Sequence, residues 1–262
     1  MGFSAAWLAL REPADRAARD PGLLSRAATL AGPRPVILDL GCGTGSTLRA
    51  MSPHLPAHAL WRLADLDADL LRLAAAEAPG RATTHLLDLR DLDALPLEGV
   101  TLVTASALLD LMPADWIGRL AARLAAARLP FYAVLSYDGV MAWQPPLPDD
   151  DAITRAFNDH QRRDKGLGPA LGPAAATRVA EIFTEAGFTV ATADSPWRIG
   201  PDQQDLHDAL VQGIASAAAE QGAPDAAGWV AARAPLSASG QCIIGHRDLL
   251  ATPPGLTHPD PR

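Results

Sequence analysis

The chain is poor in cysteine, in aromatic residues and in basic charge, and each shortage narrows its range of functions. Cys42 and Cys242 are the only cysteines among 262 residues, too few for the disulfide frameworks that hold small secreted domains together. The first ten residues show no basic segment followed by an apolar run, so no secretory leader is expected and a reducing cytoplasm is the expected compartment. Lys and Arg number 22 against 30 Asp and Glu, a net charge of −8. That balance removes the broad positive field with which general nucleic-acid binders attract phosphates, so nucleic acid is not an expected partner. Charge or proline breaks every apolar run well short of the ~20 residues needed to span a bilayer, and no membrane segment is expected. The seven histidines are scattered without ligand-like spacing, so no metal is expected either.

What is present is a 48% hydrophobic chain long enough to bury one large core, which predicts a single domain over 1–262. Trp7, Leu8, Leu10, Leu23, Leu24 and Leu30, set among Arg and Asp, predict two amphipathic helices broken near Pro13 or Pro21; this N-terminal segment, 1–34, reads as a lid. From Pro35 short apolar runs alternate with Ala/Leu/Arg-rich stretches, the pattern of a mostly parallel sheet covered by helices on both faces. Strands are predicted at 36–40, 59–65, 84–88, 100–106, 131–137, 188–194 and 240–246. The segment 138–172, rich in Pro, Gly, Asp and Arg, reads as a functional insert before a helix at 174–186. A second insert, 196–236, places Leu206, Leu210 and Ile214 on one helical stripe; it is expected to cover an edge of the site or to form a subunit contact, as in a homodimer, and the sequence does not fix the oligomeric state.

The most informative stretch runs from Val36 to Gly45. An apolar strand leads through Asp39 into Gly41-Cys42-Gly43-Thr44-Gly45 and then a helix-forming segment from Ser46. Glycines without a Cβ let the backbone approach a ligand closely at a helix N-terminus. This sequence resembles the first motif of the class I, Rossmann-like S-adenosylmethionine-dependent methyltransferases. The resemblance implies a three-layer α/β sandwich with a seven-stranded sheet whose last strand is antiparallel, and S-adenosyl-L-methionine as cofactor, with S-adenosyl-L-homocysteine as product. It makes 35–137 the cofactor-binding half, 138–172 the substrate insert and 173–262 the C-terminal half.

By the same resemblance Asp39 faces the methionine amino group, and Gly41, Cys42, Gly43 and Gly45 form the loop around the cofactor. Asp65, with Leu66 beside it, stands about twenty residues on, where an acid takes the ribose hydroxyls. Asp67 is the alternative, unless it caps the next helix. Asp88 and Leu89 resemble the adenine-binding pair, although a plain loop cap would also suit Asp88. Ser106 and Asp110 fall in the stretch that passes under the transferring methyl. Dinucleotide-binding proteins share the fold, but Ser46 stands where their third glycine belongs, which disfavours a nicotinamide cofactor. A silent cofactor-binding protein, or a protein or RNA methyltransferase, remains an alternative to the small-molecule enzyme.

An acceptor in such a sheet lies beyond the carboxyl ends of the strands. That points to Tyr137, Asp138, Trp143 and the insert, where His160, Arg162, Arg163 and Lys165 cluster in an otherwise acidic chain. His160, Tyr137 and Asp138 are the candidate bases or orienting groups. Asp110, Trp143, Arg162, Arg163 and Lys165 are candidate contacts to a small acceptor carrying negative charge. The same cations also suit a solvated face paired with Asp149 to Asp151. Arg11 and Arg19 are candidates for the cofactor carboxylate, or else partners of Glu12 and Asp15. Trp197 is a further stacking candidate, and Cys42 reads as a packing residue.

Overall fold

The computed structural model describes residues 3–223 and 225–256; residues 1, 2, 224 and 257–262 of the expected span lie outside the described residues. Two helices open the chain, α1 (Ala5–Ala18) and α2 (Pro21–Leu30). Pro13 is accommodated inside α1, and the break falls at Asp20-Pro21. There Pro21 occupies the first turn, and the Asp20 side chain caps α2 by accepting from the Leu23 amide at 2.7 Å.

The sheet then builds from β1 (Val36–Leu40), β2 (Leu60–Asp65), β3 (Ala82–Leu86), β4 (Leu102–Ser106), β5 (Phe131–Gln144), β6 (Thr189–Asp194), β7 (Trp197–Ile199) and β8 (Gln241–Thr252). Their order is β3-β2-β1-β4-β5-β8-β6, with β7 also paired to β8. The pairs among β1 to β5 are parallel, while β8 runs antiparallel to β5, β6 and β7. All seven expected strands are present. The eighth, β7, is three residues long and joins the sheet inside the segment read as a helical insert.

Side-chain alternation sorts the core onto the two sheet faces. Leu38, Leu40, Val103, Phe131 and Ala133 pack against α5 (Ala114–Ala127) and α7 (Ala175–Glu185) through Trp116, Leu120, Val179 and Phe183. Ile37, Trp61, Leu63, Leu102 and Tyr132 share the opposite core with Leu24 and Ala27 of α2, Met51 of α3 (Ser46–Met51) and Ala74 of α4 (Ala68–Ala76).

The first insert begins as strand, because β5 continues past Tyr137 to Gln144, and then forms α6 (Asp150–Gln161). The second insert supplies α8 (Gln204–Glu220) and α9 (Ala226–Arg233). Leu206 and Ile214 of the expected stripe are buried and Leu210 is half-buried. Trp143 is buried among His207, Trp229 and the Arg233 guanidinium, so it packs this helical layer together and lies away from open surface. Among the described residues no helix is long and apolar enough to cross a membrane.

A buried acid fixes the relation of the N-terminal helices to the sheet. Asp248 on β8 accepts from the Leu135 amide at 3.0 Å and from the Asp20 amide at 2.9 Å. Leu135 has φ +58° at a register shift in β5, so its amide leaves the sheet ladder and needs this side-chain partner.

Candidate active site

At the carboxyl ends of β1, β2 and β4 lies a cavity of about 600 Å³. The turn after β1 is tight because Gly41, Gly43 and Gly45 all have positive φ, at +62°, +53° and +86°. A Cβ at Gly43 would meet Leu8 of α1 at 3.1 Å, and one at Gly45 would meet the Ala74 backbone at 3.3 Å. The glycines therefore serve both the turn and the close packing of α1 and α4 on the loop. Asp65, at the end of β2, accepts from the Gly43 amide at 2.8 Å and from the Asp67 amide at 3.0 Å. Each bond uses one lone-pair site on its oxygen and leaves another for a ligand hydroxyl. Asp67 caps α4, accepting from the Asp69 and Leu70 amides at 2.8 and 3.1 Å, and also lines the cavity.

Of the residues expected to meet the cofactor, Gly41, Cys42, Gly43, Asp65, Leu66, Asp88, Leu89 and Ser106 line the cavity. Asp88 is paired with Arg90, which holds its carboxyl below the usual range. Leu89 is held from behind, where the buried Trp116 indole donates to its carbonyl at 2.7 Å. Burial pushes the Cys42 thiol up, away from thiolate chemistry. Asp39 lies beneath the loop, 1% exposed. Its Oδ1 accepts from the Thr104 hydroxyl at 2.7 Å, its Oδ2 has no partner, and burial pushes the carboxyl up to about 7.

Arg19 is buried beside the same floor and donates through Nη2 to the Ser106 hydroxyl at 3.2 Å, while Nε and Nη1 have no acceptor. Asp39 and Arg19 lie behind the cavity wall, Arg19 reaching it through Ser106, and bring one acid and one cation to the ends of β1 and β4, a pairing that suits a ligand bearing both an ammonium and a carboxylate. A glycine loop with an acid at the end of the next strand suits a nucleoside. The donor set thus fits S-adenosylmethionine.

The acceptor candidates separate in space. Lys165 lines the cavity, as do Arg11 and Asp15 of α1. Arg11 forms a two-bond pair with Asp15 at 2.9 and 3.2 Å and stands over the buried Trp197 ring, 5.2 Å from its centroid. Glu12 meanwhile pairs with Arg49 at 2.6 Å, locking α1 to α3. Asp110 adjoins the cavity-lining Leu111 and Met112; its Oδ1 is buried without a partner, and desolvation raises its carboxyl to about 6.

The remaining members lie elsewhere. His160 meets Glu220 of α8 at 3.1 Å, Arg163 pairs with the same Glu220, and Arg162 pairs with Asp159 rather than with Asp149 to Asp151. Tyr137 donates to Asn158 at 2.7 Å, and burial pushes its phenol up. Asp138 accepts from the Val140 amide at 3.0 Å and lies where a Cβ at Gly245 would be, which ties it to β8. None of these five is among the residues lining the cavity.

Leu8, Leu108, Leu111, Met112 and Leu167, not singled out as site residues in the sequence, give the cavity its apolar wall; Leu108, Leu111 and Met112 fall in the 104–112 stretch read as passing under the transferring methyl.

Residues 37–130 match a family described as "Methyltransferase domain". No curated protein matches the chain in sequence. Solved structures similar to it include the YcgJ protein from Bacillus subtilis, with TM-score 0.53, 15% identity and coverage of 89% of this chain and 98% of that one. The cyclopropane synthase MmaA2 from Mycobacterium tuberculosis has TM-score 0.53 at 14% identity, covering 95% of each chain. The mycolic acid cyclopropane synthase CmaA1, solved with S-adenosylhomocysteine, has TM-score 0.51 at 12% identity, covering 88% of this chain and 83% of that one. At such identities the likeness is one of fold, and it agrees with the family that the glycine-loop half matches. Residues 37–130 thus match a methyltransferase domain, and the chain shares the fold of these structures.

Proposed function

We propose that the enzyme transfers the methyl group to an oxygen or nitrogen atom of a small metabolite. The observation that carries this reading is the cavity itself: Leu8 and Arg11 of α1 and Lys165 and Leu167 of the loop after α6 wall the same space as the glycine loop. Such a volume, within the ~300–1,000 Å³ usual for small-ligand pockets, suits a molecule that enters whole. The net charge of −8 also speaks against a nucleic-acid acceptor.

Bound S-adenosylmethionine supplies an electrophilic methyl on a sulfonium, so that a carbon–sulfur bond breaks as the bond to the acceptor atom forms and the sulfonium charge disappears. The chain's task is alignment and proton handling. Asp39 and Arg19 would hold the ammonium and carboxylate of the methionine part, Asp65 the ribose, and Asp88 with Leu89 the adenine. Gly41, Cys42, Gly43 and Ser106 supply the floor against which these groups are fixed. Asp110 lies behind the wall that Leu111 and Met112 form, and the role we give it is to position that wall beside the acceptor.

The test is transfer of a 13C-labelled methyl group into a cell extract separated by size. Label in the low-mass fraction, with carbon resonances of O-methyl or N-methyl groups, supports the reading. Label confined to protein or RNA, or found on carbon, contradicts it.

A further inference from the structure

On the cavity wall the loop after α6 presents Lys165, a cation in no direct ion pair among the described residues, with the Glu220 and Asp110 carboxylates acting on it only at longer range. Asp164 folds that loop on itself: its side chain accepts from the Gly166 and Gly168 amides at 2.6 and 2.9 Å, and its backbone bridges to Pro169. The loop is then tied to the site, because the Leu171 amide donates to the Met112 carbonyl at 2.9 Å. Folded this way, it turns Lys165 and Leu167 into the cavity wall.

The Lys165 ammonium donates to the His160 carbonyl at 3.3 Å and forms no ion pair among the described residues. Burial lowers its pKa, a sign that the charge is held at a cost. Arg11, the other cation on the wall, is already answered by Asp15. The same cavity carries an apolar set, Leu8, Leu108, Leu111, Met112 and Leu167, beside the polar groups of the glycine loop and strand ends. An ammonium without a direct ion pair, in a cavity that also offers apolar surface, favours a ligand with an apolar body and an anionic head, because the head pairs with the charge while the body is removed from water.

We propose that Lys165 is the specificity-determining residue of the acceptor site, and that the acceptor is an apolar molecule bearing a carboxylate or phosphate. This rests on the reading of the cavity as a methyl-acceptor site. The anionic head is bound, not methylated; the nucleophilic oxygen or nitrogen lies elsewhere on the molecule.

The experiment is calorimetric titration of the full chain, first with S-adenosylhomocysteine and then, on the loaded protein, with octanoate, octyl phosphate and octanol. Wild type and the Lys165→Met and Lys165→Arg variants are compared. The expected result is at least tenfold tighter binding of one anion than of octanol, a preference lost in Lys165→Met and largely kept in Lys165→Arg. Binding of S-adenosylhomocysteine stays within twofold in all three. Whichever anion binds better identifies the head group as carboxylate or phosphate. Equal binding of octanol, a preference that survives Lys165→Met, or no binding of any probe to the loaded wild type overturns the inference. Failure of S-adenosylhomocysteine to bind wild type would instead overturn the methyltransferase reading on which it stands.

Discussion

The Asp65 carboxylate accepts the Gly43 amide at 2.8 Å, so the acid we propose for the ribose also holds the glycine loop in shape. The two functions separate under substitution. Asp65→Ala removes both and should weaken S-adenosylmethionine binding by roughly tenfold to a hundredfold, the ~1.5–3 kcal/mol of hydrogen bonds to a charged group. Asp65→Asn retains an oxygen for the Gly43 amide and should lose less. Calorimetry on both variants checks this; equal losses would mean that the amide bond contributes nothing to loop order.

Asp39 links stability to pH. Its carboxyl is raised from 3.8 to about 7, first by burial, against the Thr104 hydroxyl and the charge of Arg19, which favour ionisation. A raised acid means that the native state resists ionisation, so the penalty is absent below about pH 4, grows as pH rises, and is complete above about pH 7. Asp39→Asn should therefore stabilise the ligand-free protein at pH 8, by up to about 4 kcal/mol, with the gain fading towards pH 4. On the proposed role of Asp39 as counter-charge to the ammonium, the same change should also weaken cofactor binding. Urea unfolding of both proteins across this range is the measurement; a gain that does not vary with pH would contradict the assignment.

Asp248 should behave as a structural residue. Asp248→Ala leaves the Leu135 and Asp20 amides without their acceptor beneath packed helices. A loss of about 2–5 kcal/mol is expected, since each stranded buried donor costs ~1–3 kcal/mol. A change below 0.5 kcal/mol in urea unfolding would show that the α2 connection is not held there.

His160 and Arg163 meet Glu220 on the surface between α6 and α8. His160→Ala and Arg163→Ala should each leave S-adenosylhomocysteine affinity and turnover within about twofold, as is usual for exposed ion pairs worth ~0–1 kcal/mol. A tenfold loss of turnover with unchanged stability would move the chemistry to this face.

How far the sequence discloses this molecule follows from how local each signal is. The β1 strand, the three glycines and Asp65 are legible because apolar run, turn and acid lie within thirty residues and each is shaped by its neighbours. The third strand is displaced by two residues in the sequence reading, since Ala82–Leu86 is an edge strand with mostly exposed side chains and little apolar pattern. β7 is invisible because three residues become a strand only by pairing with β8, more than forty positions away. The basic cluster from His160 to Lys165 reads as one feature, yet α6 ends at Gln161 and the chain turns there. His160 and Arg163 consequently face α8, while Lys165 reaches the cavity.

Calorimetric titration of the wild-type protein with S-adenosylhomocysteine beside the two nicotinamide dinucleotides tests the central claim most directly. The account predicts saturable, one-to-one binding of S-adenosylhomocysteine and no heat of binding from either dinucleotide. Saturable binding of a dinucleotide, with none of S-adenosylhomocysteine, would contradict it and make the glycine loop a nicotinamide site.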